Sequence, residues 1–158
     1  MTGLNTCSHD ELVQTLLTVC HSHRWAEAVA AAAPYDSLGQ LQQIADDTWL
    51  RLEPSDWREA LDGHPRIGEQ GGAAPDSSKR EQSAMADADA GVKAAIADGN
   101  RRYEQRFGHI FLIAAAGRTP EQILAELHRR LSNDPETELR EAAEQHRTIT
   151  RTRLERLA

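Results

Sequence analysis

The chain has 158 residues, 39% of them hydrophobic and 27% charged, which suits one domain with an apolar core of its own. A formal net charge of −7 argues against a nucleic-acid-binding protein, and no apolar run approaches the roughly 20 residues that span a bilayer. Two cysteines without CxxC spacing, and an N-terminus without a recognisable secretory signal, favour a reducing, cytoplasmic location.

Four helices are predicted before residue 64. In each of them, apolar residues recur at helical spacing, and residues that commonly begin or end helices lie at the boundaries. The markers are Ser8 with Glu11, Ser37 with Gln40, and the prolines Pro34 and Pro54. The second helix is expected over 24–33 and the fourth over 55–62. Gly63 is expected to end the fourth in the left-handed conformation that glycine adopts without strain.

Residues 64–77 contain two prolines and three glycines and are predicted to form a loop. A helix is expected to resume at Ser78 and to run to Phe107, with a break near Gly99 left open. Gly108 fits the end of this helix.

The stretch HIFLIAAAG, at 109–117, is apolar and short, so periodicity does not separate a strand from a buried helix. Thr119 with Pro120 and Asp134 with Pro135 predict the starts of two further helices. The expected fold is all-α, with seven to nine helices in one compact, irregular bundle that forms a single domain over 1–158.

Three polar residues project onto an apolar stripe at the start of the helix after the loop. They are Ser78, Glu81 and Gln82. A capping box of Ser78 and Glu81 is the favoured interpretation. It is compatible with a binding site, because a helix start also presents free N–H groups to an anion.

His146 and Arg153 fall on the apolar stripe of the last helix. An inward arginine needs an acidic partner or an anionic ligand, because an unpaired buried charge is costly. A structural ion pair is the favoured interpretation for Arg153, and a core histidine for His146.

His64 precedes Pro65, which restricts its backbone to non-helical conformations. A loop histidine is most often a solvent-facing residue, but a rigid helix exit is also a good mount for an acid–base group that titrates near neutral pH. Arg66 and Glu69 are expected to pair with each other or with solvent. No zinc-ligand, nucleotide-binding or nucleophile-elbow motif is present, so the available groups indicate chemistry without metal or cofactor.

The stretch HPRIGE at 64–69, followed by Ser78, Glu81 and Gln82, resembles the two signature motifs of the 2-oxo-4-hydroxy-4-carboxy-5-ureidoimidazoline (OHCU) decarboxylase family. The resemblance covers nearly the whole chain. The other matching stretches are CHSHRWAEAVAAAAPYDSLGQL, NRRYEQRFGHIFLIAAAGRT and LHRRLSNDPETELREAAEQHRTITRTRL.

The resemblance implies a cofactor-free enzyme of urate breakdown that acts third, removes CO₂ from OHCU and leaves (S)-allantoin. OHCU decays by itself to racemic allantoin, so such an enzyme would supply speed and handedness. The implied partner is this small-molecule substrate, without nucleic acid or membrane, and the family likeness suggests a homodimer.

Within the family pattern His64 matches the catalytic histidine, read as a proton donor, and Glu81 is the second catalytic candidate, with the division of proton transfer left open. The implied substrate-binding positions are Pro65, Ser78, Gln82, Phe111, Leu112, Ile113, Ala114, Ala115 and Arg153. Pro65 and the 111–115 segment would act through backbone groups. His109 departs from the family pattern, which has an aromatic residue after Phe-Gly, so the pocket edge is expected to differ.

Two rival functions remain open at this point. A helical interaction module would use the same turn as a capped surface feature, with its inward polar groups paired internally. A metal-free ureide hydrolase would use the same groups but release ammonia or urea instead of CO₂.

Overall fold

A computed structural model describes residues 1–67 and 90–158. Those residues contain eight helices and no strand, so the all-α prediction is confirmed for the part of the chain described. The helices are α1 Thr2–Asn5, α2 His9–Val19, α3 His23–Ala31, α4 Leu38–Leu50, α5 Pro54–Asp62, α6 Ala90–Phe107, α7 Pro120–Arg130 and α8 Pro135–Leu157.

The chain divides into two compact units. The first unit comprises Met1–Gly63 and Arg147–Ala158, and the second comprises His64–His146. The expectation of a single domain over 1–158 stays a prediction. No helix within the described ranges is both long and apolar enough to cross a membrane.

The helix starts of the first unit follow the capping residues seen in the sequence. The Ser8 hydroxyl accepts from the Glu11 N–H while the Glu11 carboxylate accepts from the Ser8 N–H, and the Ser37 hydroxyl accepts from the Gln40 N–H. These bonds satisfy backbone donors that the first helical turn leaves without partners. Helices α2 and α4 both contact α3, which carries the fully buried Trp25, and the Trp25 indole N–H donates to the Ala45 carbonyl at 3.1 Å.

Gly63 corrects one expectation. It ends α5 with φ −81° and ψ −5°, which is ordinary right-handed backbone and not the left-handed conformation expected. The glycine is required for space instead, because a Cβ atom at this position would lie 2.4 Å from the Cβ of His21. The helix exit before His64 is therefore fixed by a close approach of two chain segments.

The second unit contains α6, α7 and the first half of α8. Helix α6 is unbroken at Gly99, where a Cβ atom would lie 2.5 Å from a methyl carbon of Leu127 on α7. Gly99 thus allows two helices to approach closely, and the break left open in the sequence does not occur. Gly108 ends α6 with φ +76°, which confirms it as a left-handed stop. Of the helix expected from Ser78, the portion before Ala90 lies outside the described residues.

The stretch 109–117 forms neither of the two structures considered for it. Residues 110–115 are irregular, and their backbone is held by side chains from elsewhere in the chain. Arg130 Nη1 donates to the Leu112 carbonyl at 2.7 Å, and the Ala114 N–H donates to Gln145 Oε1 at 2.9 Å. These side chains take the place of the backbone hydrogen bonds that a sheet or a helix would supply. The segment is therefore stable without regular secondary structure.

A buried ion pair fixes the arginine of that arrangement. Arg130 is 1% exposed and Glu138 is fully buried, and Arg130 Nε donates to Glu138 Oε1 at 2.7 Å. The Tyr103 hydroxyl donates to the same carboxylate oxygen at 2.5 Å, and Asn133 Nδ2 donates to Oε2 at 2.9 Å. Burial and the bond to Glu138 raise the pKa of Tyr103 well above its usual range, so the phenol remains a donor. The pair therefore links α6, α7, α8 and the irregular segment.

We expect Gly63→Ala to destabilise the protein by about 1–3 kcal/mol, because the added methyl group overlaps a backbone-fixed atom of His21. Gly39→Ala in α4 is the matched control: its Cβ would meet only the Ser37 hydroxyl at 3.7 Å, so it should leave stability unchanged or raise it by up to about 1 kcal/mol. Urea unfolding measures both; a Gly63→Ala variant as stable as the wild type would contradict the close approach.

We expect Arg130→Met to cost about 3–5 kcal/mol of unfolding free energy, because it leaves the Glu138 carboxylate buried without its cation. The neighbouring Arg129 is 51% exposed and pairs with Glu126 and Glu141, so Arg129→Met should cost under about 1 kcal/mol. Denaturant unfolding of the two variants provides the comparison. Equal losses would show that the buried pair contributes no more than a surface pair.

Candidate active site

His64 lies in the non-helical stretch after α5, as the sequence predicts, and its ring is partly buried. Its imidazole packs against that of His146 on α8, with ring centroids 4.8 Å apart and ring planes at 82°. His146 is fully buried, which confirms its inward direction. The side chain that carries the proposed acid–base chemistry is thus in contact with a histidine from the opposite end of the second unit's sequence.

The residue preceding His146 holds another candidate segment. Gln145 Oε1 accepts from the Ala114 N–H at 2.9 Å, and Ala114 lies in the middle of the apolar stretch proposed to contact substrate through its backbone. Consecutive residues of α8 therefore contact His64 and Ala114. Side chains of consecutive helical residues point about 100° apart, so the two proposed site segments lie against one turn of this helix on adjacent faces.

The 111–115 segment offers backbone groups to a ligand. Arg130 binds the Leu112 carbonyl, and Arg118 binds the carbonyls of Ala114 and Ala115 through Nε and N–H respectively. Among residues 1–67 and 90–158, by contrast, no hydrogen bond uses the N–H or C=O of Phe111 or Ile113. Both residues are buried, and buried backbone groups are almost always paired, so these positions are suited to receive the polar edges of a bound molecule.

Two contacts anchor the loop that carries His64. Arg66 Nε donates to Glu104 Oε1 on α6 at 2.6 Å, and the buried Asn100 donates through Nδ2 to the Ile67 carbonyl at 3.4 Å. Glu69, the partner expected for Arg66, lies outside the described residues, so that pair stays a prediction beside the observed one with Glu104. Pro65 directly precedes Arg66 and Ile67, so these two contacts restrain the position of its carbonyl group.

Arg153 lies in the first unit and is buried, which confirms its inward direction. Its Nη1 atom donates to the Val19 carbonyl at 3.0 Å. Burial raises the pKa of the neighbouring Cys20 thiol well above its usual range, and the Arg153 charge opposes that effect only in part. A guanidinium has five N–H donors, so Arg153 can bond to more than one group at a time.

Three of the predicted site residues fall outside the part of the chain that the structure describes. They are Ser78, Glu81 and Gln82. Their proposed roles therefore stay predictions, as do those of His64, Pro65, Arg153 and the 111–115 segment.

Sequence reasoning missed the residues that support the site. Arg130 is seven positions after Ile123 and three after Leu127, which places it on the apolar stripe of α7. Gln145 is likewise three positions after Ala142 and four before Ile149. A polar residue on an apolar stripe was the signal that identified His146 and Arg153, and the same signal was present for these two.

His109 occupies the position where the family pattern has an aromatic residue. Its ring is buried, stacks on Phe107 with centroids 6.1 Å apart, and meets the edge or face of Tyr103 at 5.6 Å. The imidazole thus fills an aromatic position in the core of the second unit, and its Nδ1 lies 3.1 Å from the Ile110 carbonyl.

The second unit combines the paired imidazoles of His64 and His146 with a buried segment whose backbone is held by Arg130 and Gln145. Such a site can hold the polar edges of a small planar heterocycle and transfer a proton to it from one direction. Among the described residues no cluster of three histidine, cysteine or carboxylate side chains is placed to hold a metal ion.

Comparison with known proteins places the chain in a defined group. The model of the OHCU decarboxylase family matches residues 5–155. The chain is 33% identical over 144 residues to the uric acid degradation bifunctional protein TTL of Arabidopsis thaliana, covering 87% of this chain and 44% of that protein. It is 26% identical over 155 residues to the 2-oxo-4-hydroxy-4-carboxy-5-ureidoimidazoline decarboxylase of Haloferax volcanii, covering 96% of this chain and 91% of that protein. The chain therefore spans less than half the length of the bifunctional relative but nearly all of the archaeal one.

Solved structures agree with the sequence comparison. A crystal structure of OHCU decarboxylase in the presence of (S)-allantoin matches with a TM-score of 0.81 and 31% identity, covering 90% of this chain and 96% of that chain. The structure of an (S)-allantoin synthase matches with a TM-score of 0.68 at 22% identity, covering 97% of this chain and 51% of that one, which shows a shared fold. With the family match extending over nearly its full length, the chain belongs to the OHCU decarboxylase family.

Proposed function

We propose that the protein decarboxylates OHCU to (S)-allantoin in the third step of urate degradation. The observation that carries the proposal is the contact of consecutive α8 residues with the two site segments: Gln145 binds Ala114, and His146 packs on His64. Family membership supplies the substrate class, and this shared turn of α8 supports a small-molecule site that includes both segments.

The proposed reaction balances without an added redox partner. The bond between the ring carbon and the carboxylate breaks, CO₂ leaves, and the electron pair moves into the adjacent C=N group of the ring. The ring nitrogen takes up one proton. The hydroxyl group then loses its proton and becomes the ring carbonyl as a proton adds to the ring carbon that bears the ureido group, which creates the stereocentre of allantoin. Because the ring itself accepts the electron pair, the proposed mechanism uses no cofactor.

The side chains have distinct proposed roles in this reaction. His64 donates the proton at carbon, while Glu81 holds the substrate hydroxyl or removes its proton. The backbone groups of Phe111 and Ile113 hold the ureide edges, and Ser78 and Gln82 add side-chain contacts. Holding the planar intermediate in one orientation accelerates the reaction by positioning and presents one face to the acid.

Arg153 is proposed to bind the carboxylate or a carbonyl group of the substrate through its planar donor fork. Pro65 is proposed to contribute its backbone carbonyl to substrate binding. The homodimer that the family likeness suggests, and the cytoplasmic location inferred from cysteine content, remain predictions.

A ureide hydrolase that uses the same groups is the alternative enzyme, and its products differ. Decarboxylation releases CO₂ and no nitrogen, whereas hydrolysis of the ureido group releases ammonia or urea. Gas trapping and an ammonia assay on one reaction mixture separate the two, and ammonia release without CO₂ would overturn the proposal.

We expect His64→Ala to abolish enzymatic decarboxylation while the protein keeps its helical content, because His64 is outside every helix and only partly buried. Freshly generated OHCU should then decay to racemic allantoin at the spontaneous rate. Circular dichroism of the product measures the enantiomeric excess. The control is His128→Ala, which removes an exposed histidine of α7 and should leave the excess unchanged. An undiminished (S)-excess in His64→Ala would remove His64 from the mechanism.

We expect Arg153→Met to raise KM about tenfold or more, because a charge-assisted bond to substrate is lost. The bond to the neutral Val19 carbonyl accounts for only about 1 kcal/mol of stability, so KM is the property expected to change most. Arg151→Met on the same helix is the control, because Arg151 pairs with Asp46 and should not affect KM. A large fall in melting temperature together with a normal KM would instead identify Arg153 as a structural residue.

A further inference from the structure

His146 is a polar residue at a position where the surrounding sequence favours an apolar one. Ala142, Ala143 and Ile149 on the same stripe of α8 are buried, and His146 itself has no exposed surface. An imidazole buried among aliphatic residues is less favourable than a leucine of similar volume, because its nitrogen atoms must be removed from water. Its presence therefore calls for a contact that leucine does not make.

The ring contact with His64 is such a contact. The two imidazoles meet at 4.8 Å with an interplanar angle of 82°, the edge-to-face geometry that aromatic rings prefer. His64 follows a helix end and is only partly buried, so each side chain that packs against its ring helps to restrict its torsions. A fixed, fully buried ring on α8 restricts them.

We propose that His146 is a positioning residue that fixes the direction of the His64 imidazole through this edge-to-face contact. The inference rests on the proposed function, because it assigns the direction of proton delivery in that reaction. A proton donor that can rotate reaches both faces of a planar intermediate or neither, whereas a donor held by a ring on a rigid helix reaches one. His146 does not itself contact the reacting atoms in this proposal.

Gln145, the residue before His146, connects the ring contact to the rest of the proposed site. Gln145 fixes the 111–115 segment through the Ala114 N–H. The proposed proton donor, His64, and the segment proposed to hold the heterocycle are therefore both held by the same turn of one helix. A small shift of either would change the angle at which the proton arrives, and misplacement by about 1 Å can lower a rate about a hundredfold.

The test compares two apolar replacements that both suit the buried stripe. His146→Leu fills the space without a ring, and His146→Phe restores a ring without nitrogen atoms. We expect His146→Leu to lower kcat about tenfold with KM changed less than about twofold, and to lower the enantiomeric excess of the product. His146→Phe should retain kcat within about threefold of the wild type. His128→Leu, at an exposed site on α7, is the control for loss of a histidine.

The outcomes decide between the two proposals separately. A wild-type protein that releases CO₂ from OHCU no faster than the spontaneous reaction overturns the proposed function and this inference with it. An active wild type with an unchanged kcat in His146→Leu overturns the positioning role alone, and so does equal loss in the Leu and Phe variants. If His146→Leu does not fold, as measured by far-UV circular dichroism, retention or loss of kcat in His146→Phe decides the question.

Discussion

The buried ion pair between Arg130 and Glu138 is the interaction on which the second unit depends. Burying both charges costs desolvation free energy, which offsets much of the attraction between them. The main effect of the pair is therefore to hold the neighbouring groups in fixed positions. Arg130 places its Nη1 on the Leu112 carbonyl and its guanidinium 4.6 Å from the centre of the Phe111 ring. The chain after α6 is thereby held in an irregular conformation. Its backbone groups are available to a ligand, whereas those of a helix or a sheet would be bonded to one another.

Helix α8 connects this arrangement to the proposed chemistry. Glu138 near its start belongs to the ion pair, while Gln145 and His146 two turns later contact Ala114 and His64. One rigid element thus carries the group that orders the irregular segment, the group that ties the segment down, and the ring that packs on the proposed proton donor. An enzyme without a bound cofactor gains most of its rate from such positioning of substrate and acid, and helices support it more accurately than loops.

Features with a local cause could be predicted from the sequence, and features with a distant cause could not. Caps at Ser8 and Ser37, the left-handed Gly108 and the inward direction of His146 depend on neighbours within one or two helical turns. Gly63 is required because of its close approach to a residue 42 positions earlier, and the irregular stretch 110–115 is held by side chains 18 and 31 positions away. Hydrophobic periodicity reports only on near neighbours and could not indicate either contact. The site residues came from a family motif, whereas their supports, Arg130 and Gln145, could have been found from the polar positions on their own helix stripes.

The central claim is that His64 and the backbone of the 111–115 segment form one site for the heterocycle. It is tested most directly by titrating the ¹⁵N-labelled protein with (S)-allantoin and following assigned amide and imidazole resonances. We expect the amide signals of Phe111 and Ile113 and the ring signals of His64 to shift along one common saturation curve, and the Ala114 amide, already bonded to Gln145, to shift much less. Saturation of binding with those signals unmoved, or no binding at all, would contradict it.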